Sequence, residues 1–212
     1  MAHRPRLRLR SVHRVPIVAL AVGAVVMTVS GCGDDEPHEF VGYRAVESQQ
    51  VGSLGLPDAT ADGAEYHFDP AAGHVQIVYF GYTSCPDVCP TTLAAVRNAL
   101  RDLDEDDADR VDVAMVTVDP GRDSSTILTR YVQSFVPAGH ALRTTDSTAL
   151  DRVVDAFGAT YSVEVGDDGA IEVAHSGAMF VVAPGGSVTL TWPFGVTADD
   201  IAGDLVALLE EI

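Results

Sequence analysis

The chain has 212 residues, with 31 acidic residues against 13 basic ones and a net charge of −18 at pH 7. A body this acidic is repelled by nucleic acid and by anionic lipid headgroups, which excludes the electrostatic polyanion binders. Every basic residue is arginine, and Arg4, Arg6, Arg8, Arg10 and Arg14 all precede the first acid, Asp34. The absence of lysine reads as a compositional habit rather than as chemistry.

An apolar run, Val15 to Val29, follows those arginines. It falls short of the ~20 apolar residues that a spanning helix needs. A basic stretch, an apolar stretch and then small residues read as a signal peptide over residues 1–31. Val29-Ser30-Gly31-Cys32 resembles the bacterial lipobox. That resemblance implies lipidation of Cys32, which becomes the first mature residue. The alternative is an uncleaved anchor helix with an incidental cysteine. Both place the body at a membrane, outside the cytoplasm. The expected localisation is the extracytoplasmic face of the cell membrane, by lipid anchor. Removing the signal leaves eight arginines against 31 acids, a balance of −23.

Residues 32–50 then read as the lipidated cysteine and a polar tether, and residues 51–212 as one domain of ordinary size. Val75 to Phe80 is a buried-strand run. Leu93, Val96, Leu100 and Leu103 follow at helical spacing. Asp102 to Asp109 holds six acids and reads as a solvated helix end and loop. Val111 to Val118 predicts a second strand. Ile127, Leu128, Tyr131, Val132 and Phe135 mark a second helix, and Leu150, Val153, Val154 and Phe157 a third. Tyr161–Val165 and Ile171–Val173 flank Gly166-Asp-Asp-Gly169, a hairpin signal. Met179–Ala183 and Val188–Thr191 flank Pro184-Gly185-Gly186, a second one. Thr197 with Asp200 predicts a capping box before Ile201, Leu205, Leu208 and Leu209. Strand–helix–strand–helix, a hairpin and a helix give an α/β fold with a central mixed sheet flanked by helices. Thioredoxin-like folds share this order.

With Cys32 assigned to lipid, Cys85 and Cys89 remain. They sit in Gly81-Tyr-Thr-Ser-Cys85-Pro-Asp-Val-Cys89-Pro90, directly after the first core strand. Pro90 suits an early helical position. If the helix starts near Cys85, the two thiols share one face, with β-carbons about 5–6 Å apart. They could then share a metal ion or close a disulfide. A helix N-terminus favours both thiolates. Two soft thiolates select Cu(I) or zinc over hard cations, and imidazole is the usual third partner. His38 lies in the tether, His67 and His74 in a polar stretch, and His140 in a Pro-Gly loop; all four read as surface residues. His175 stands at the start of the Met179–Ala183 strand. Position alone leaves it open between a ligand and a plain loop histidine.

Three motifs in order then resemble the Sco (SenC) family over roughly residues 51–211. The first is the cysteine motif itself. The second is Val116-Thr-Val-Asp119-Pro120-Gly-Arg122-Asp123, and the third is Val173-Ala-His175-Ser-Gly-Ala-Met-Phe-Val-Val182. The resemblance implies a membrane-tethered, thioredoxin-like copper metallochaperone that serves the binuclear copper centre of cytochrome c oxidase. It implies Cys85, Cys89 and His175 as copper ligands, and a copper-receiving oxidase subunit or another copper protein as partner. Ala174 and Gly177 depart from the family pattern, in which Asp and a bulkier residue are expected.

The other motif residues have plainer readings. Asp87 reads as a turn-stabilising carboxylate, with a group behind the ligands or a labile axial ligand as the alternative; Asp119 and Pro120 end the second strand and shape a loop near the site, and Arg122 and Asp123 pair locally. Tyr82 either walls the metal pocket or caps the core. Trp192 reads as a partly buried loop aromatic. The competing function is a thiol–disulfide oxidoreductase that uses Cys85 and Cys89 as its redox pair. Such sites normally have two residues between the cysteines and a proline facing the disulfide. Here the gap holds three residues, and the segment Val173–Val182 holds a histidine and no proline. A peroxidase with a single reactive cysteine is the third reading, and the paired thiols argue against it.

Overall fold

The computed structural model describes residues 38–212. The signal segment and Cys32 lie outside the described residues. Among the described residues, no helix is long and apolar enough to cross a membrane.

An antiparallel hairpin that the sequence pattern did not predict opens the domain: β1 (Gly55–Asp58) and β2 (Ala64–His67). Its signal is weak because β2 is mostly exposed and β1 contains Pro57. β3 (Val75–Gly81) follows and is buried at every position. Next come α1 (Val88–Asp102), the single turn α2 (Glu105–Ala108), β4 (Val111–Thr117) and α3 (Ser125–Phe135). β5 (His140–Leu142) and α4 (Ser147–Ala156) lead to the hairpin of β6 (Tyr161–Val165) and β7 (Ile171–His175). β8 (Met179–Ala183), β9 (Ser187–Trp192) and α5 (Ala198–Glu211) complete the chain.

Seven strands form one sheet in the order β2-β1-β5-β4-β3-β8-β9. It is mixed, because β3 pairs parallel to β4 and antiparallel to β8. β6 and β7 pair only with each other, as a separate two-stranded sheet. The alternation of a strand explains the two cores. Val75, Ile77 and Tyr79 pack with residues of α1, α3 and α5, including Leu93, Leu128 and Leu205. Val78 and Phe80 point the other way, onto Leu150, Val154 and Phe157 of α4 and its end. The architecture is α/β with helices on both faces, and the capping box of Thr197 and Asp200 is present at α5.

Three readings need correction. Residues 38–50 are not a free tether. Tyr43 exchanges backbone hydrogen bonds with Thr191, and Val188 N–H donates to the Gln49 carbonyl, so the segment adds an edge to β9. Trp192 is not a loop residue but the fully buried end of β9. His140 is a β5 residue whose Nδ1 lies 2.7 Å from Asp58 Oδ2.

One buried carboxylate ties these parts together. Asp204 of α5 accepts from Trp192 Nε1 at 2.8 Å and from the amides of Val41 and Gly42 at 3.0 and 2.9 Å. His38 Nε2 lies 2.8 Å from Oδ1, the oxygen that also accepts from Val41. Burial alone would raise the Asp204 pKa, but the bonds from His38, Trp192, Gly42 and Val41 outweigh it and hold the group below the usual carboxylate value. A depressed folded value stabilises the fold above the unfolded carboxylate pKa of about 3.9, and the gain is lost as pH falls through the folded value. Asp204→Ala is expected to cost about 3 kcal/mol, because buried donors lose their acceptor at roughly 1–3 kcal/mol each. Urea unfolding at pH 7 measures this. The deficit should shrink as the wild type is taken below about pH 4, and a pH-independent difference would count against it.

Candidate metal centre

The cysteine motif lies where β3 passes into α1. The helix starts at Val88, so Cys85 precedes it and Cys89 occupies its first turn. This corrects the expectation of a helix beginning near Cys85. Tyr82 to Cys85 makes a turn instead, with the Cys85 amide donating to the Tyr82 carbonyl at 3.3 Å. The Asp87 side chain does not cap the helix; it is exposed, with Oδ1 3.4 Å from Thr91 Oγ1. The sulfur of Cys85 takes the capping role and accepts from the Cys89 amide at 3.4 Å.

The two sulfurs therefore differ, where the sequence reading made both acidic. Burial opposes ionisation of Cys85, but bonds from the Cys89 and Asp87 amides outweigh it and set its pKa below the ordinary thiol value. Cys89 is fully enclosed. Burial pushes its pKa up to about 12, and interactions with Tyr79 and the Tyr82 backbone compensate only in part. Both cysteines are free thiols.

His175 is the last residue of β7 and pairs with Tyr161 in the small sheet. The sequence places it just before β8, whereas the structure places it on a separate hairpin that reaches over the cysteines. Its Nδ1 lies 3.0 Å from the Ser176 carbonyl. A carbonyl only accepts, so Nδ1 carries the proton and Nε2 keeps its lone pair. Nε2 lies 3.5 Å from Cys89 Sγ. Burial lowers the His175 pKa, and the Ser176 bond offsets this only in part, which favours the neutral imidazole a metal requires.

One ligand atom from each of Cys85, Cys89 and His175 falls within 4.8 Å of the others. Among the described residues this is the one cluster of three or more such groups able to hold a metal ion. Two sulfurs and an imidazole nitrogen fit a soft or borderline cation such as copper, not calcium or magnesium. A cleft of about 360 Å³ opens onto the site, walled by Tyr82, Cys85, Pro86, Val173, His175 and Phe194. Tyr82 thus walls the pocket, with its ring edge-on to His175 at 5.8 Å. His38 and His140 are bound to Asp204 and Asp58, and His67 is exposed on β2.

The sequence missed Asp123. It does not pair with Arg122, whose Nε bonds to Asp119 instead. Asp123 is fully buried and accepts from the Thr83 amide and hydroxyl at 3.0 and 2.5 Å, and from the Thr117 hydroxyl at 2.6 Å. Thr83 lies two residues before Cys85, so this carboxylate fixes the start of the cysteine loop. An acid beside an arginine looks like a surface pair in sequence, and nothing local marks it as buried.

The thiol asymmetry is testable by alkylation. Iodoacetamide at pH 7.5 should modify Cys85 first, and Cys89 only after unfolding, as read by peptide mass spectrometry. Equal labelling of the two in the folded protein would contradict it.

Comparison with known proteins adds to this geometry. A family model described as SCO1/SenC matches residues 59–210. The SCO2-like protein of Rickettsia prowazekii is 30% identical over 186 residues, covering 86% of this chain and 88% of that protein. The mitochondrial SCO2 homolog of Mus musculus is 37% identical over 122 residues, 55% of this chain and 46% of that one. Several other curated relatives are matched over about half of their length. Among solved structures, apo Sco1 of Thermus thermophilus superposes with a TM-score of 0.70 at 30% identity, covering 81% of this chain and 98% of that one. ScoI of Bradyrhizobium japonicum, solved with copper bound, gives 0.62 at 27% identity, covering 72% and 95%.

Proposed function

The chain belongs to the SCO1/SenC family, and from that premise we propose that it is a membrane-tethered copper metallochaperone. Its cargo is one copper ion, held by Cys85, Cys89 and His175 and passed to the copper-receiving subunit of cytochrome c oxidase or another copper protein. The observation that carries this reading is the meeting of two sulfurs and an imidazole nitrogen within 4.8 Å, drawn from two distant segments of the chain. The copper bound by the Bradyrhizobium relative supports the choice of metal.

Each ligand has its own part. Cys85 sits at the cleft and meets incoming metal first. Cys89 is deep and holds the ion away from water. His175 brings the nitrogen donor that suits both copper oxidation states. Oxidation of the pair to a disulfide removes two electrons and two protons and leaves no thiolate, so reduction gates loading.

His175→Ala separates this function from a thiol–disulfide oxidoreductase. The metallochaperone reading expects weakened Cu(II) retention, less affected Cu(I) binding and impaired oxidase assembly in cells. Loss of either cysteine should cost more, because it removes half of the dithiol. A His175→Ala protein with full copper binding and full oxidase assembly would remove His175 from the site. Intact disulfide reduction together with unimpaired oxidase assembly would favour the redox function.

The lipid anchor has its own check. Mass spectrometry of membrane-extracted protein should find a lipidated N-terminal Cys32, on the extracytoplasmic face. A mature chain that starts elsewhere, or a Cys32→Ala protein still membrane-bound after cleavage, would refute it.

A further inference from the structure

Strand alternation places Gly81 on the same face of β3 as Tyr79, toward α1 and Cys89. A β-carbon at Gly81 would lie 2.9 Å from Cys89 Sγ, 2.8 Å from Tyr79 Cε1 and 3.1 Å from Met115 Cε. Real β-carbons do not come within 3.0 Å of other atoms, as the sulfur and the ring would require, so a side chain there would displace one or both. Gly81 does not have a positive φ. The requirement is for room, not for backbone freedom. The missing side chain forms the notch in which the Cys89 sulfur rests.

Tyr79 closes the back of that notch. It is 1% exposed, and its ring stands edge-on to His175 at 6.0 Å. Its hydroxyl lies beside Cys89 and Thr92 but makes no hydrogen bond of good geometry. The Thr92 hydroxyl is buried without a partner as well. A buried hydroxyl without a partner is destabilising, because it has lost its bonds to water. The acceptor that would repay Tyr79 is a charged sulfur at Cys89, the form that the deep thiol takes when it binds a metal ion.

We propose that Gly81 and Tyr79 form a seat for the Cys89 sulfur, Gly81 by leaving room and Tyr79 by donating its hydroxyl to the metal-bound thiolate. Both are positioning residues that act through Cys89. This rests on the copper reading above and deepens it. The seat fixes the deep sulfur within reach of His175 Nε2, and the tyrosine hydroxyl withdraws electron density from it. Removing a partner of a ligand typically lowers metal affinity about 10–100-fold.

The test uses the full-length, reduced chain in detergent, titrated with Cu(II) alone. Tyr79→Phe keeps the ring and removes the hydroxyl. It should fold normally by circular dichroism, shift the Cu(II)–thiolate absorption band and weaken Kd about tenfold. Gly81→Ala should weaken Kd further, toward about a hundredfold, while Cys85 still reacts with iodoacetamide. A folded Gly81→Ala protein with the wild-type band and Kd overturns the seat. An unchanged band and Kd in Tyr79→Phe overturns the hydroxyl's part, and decides the matter alone where Gly81→Ala does not fold. The dithiol–disulfide potential, measured against glutathione, is a metal-free readout that should move in both variants. If the wild type binds no copper, the copper reading fails. The seat is then judged on that potential, which stays put in both variants if Cys89 is not held there.

Discussion

The site depends on two parallel strands that end side by side. Gly81 at the end of β3 stands opposite Thr117 at the end of β4. Loops at the carboxyl ends of parallel strands are where α/β proteins build their sites. Here the two loops are joined by Asp123. Its carboxylate binds Thr83 of one loop and Thr117 below the other. Arg143 then braces the second loop by donating to the carbonyls of Pro120 and Asp123. A one-residue slip of β4 would move Thr117 to the other sheet face and leave Asp123 buried without that partner. Register in the sheet and position of the cysteine loop are therefore one constraint.

That constraint explains why chemically identical cysteines become unlike. The loop is held at Thr83 and enters the helix at Val88, so Cys85 falls among free helix amides and at the cleft. Cys89, four residues on, is carried under the helix against Tyr79 and the notch at Gly81. A deep thiol with a raised pKa is a poor nucleophile in the metal-free protein. A cation changes that balance, because a coordinated thiol gives up its proton outright. Cys85, with its lowered pKa and its place at the cleft, is the sulfur open to exchange, whereas Cys89 becomes reactive chiefly through coordination.

The sequence revealed much of this and missed the rest for identifiable reasons. Long periodic segments were readable: β3, β4, α1, α3, α4 and α5 all lie where apolar spacing places them. The two turn-marked hairpins were readable as well. β1, β2 and β5 were not, since they are only three or four residues long, too short to show a period, and β2 is mostly exposed. Cys85, Cys89 and His175 were legible as a group through three spaced motifs. The hairpin of β6 and β7 was legible as a hairpin, but its extension to His175 and its separation from the main sheet were not, because nothing in Ile171–His175 says that it pairs with Tyr161–Val165 alone. Asp123 and Asp204 share a blind spot. A fully buried acid and a solvated one look alike in a chain with 31 acidic residues. Only the donors around them, brought from residues 40 and 163 positions away, separate the two.

The histidine and the thiols are held with different firmness, and this bears on transfer. The sulfurs belong to the sheet core, between β3 and α1. His175 belongs to a hairpin whose residues are mostly exposed and which makes no strand pairing with the main sheet. Its ties to the body include the Tyr161 hydroxyl bond to Asp151 at 2.7 Å. Elements with few buried contacts open at lower free energy than the core. A ligand on such an element can leave first without disturbing the other two. In the proposed delivery role, release of the nitrogen would leave the ion held by Cys85 and Cys89, and a recipient's sulfur or imidazole would approach through the cleft that Cys85 and His175 line. A hand-over of that kind would proceed by ligand exchange, with neither thiolate released before the recipient's donor is in place.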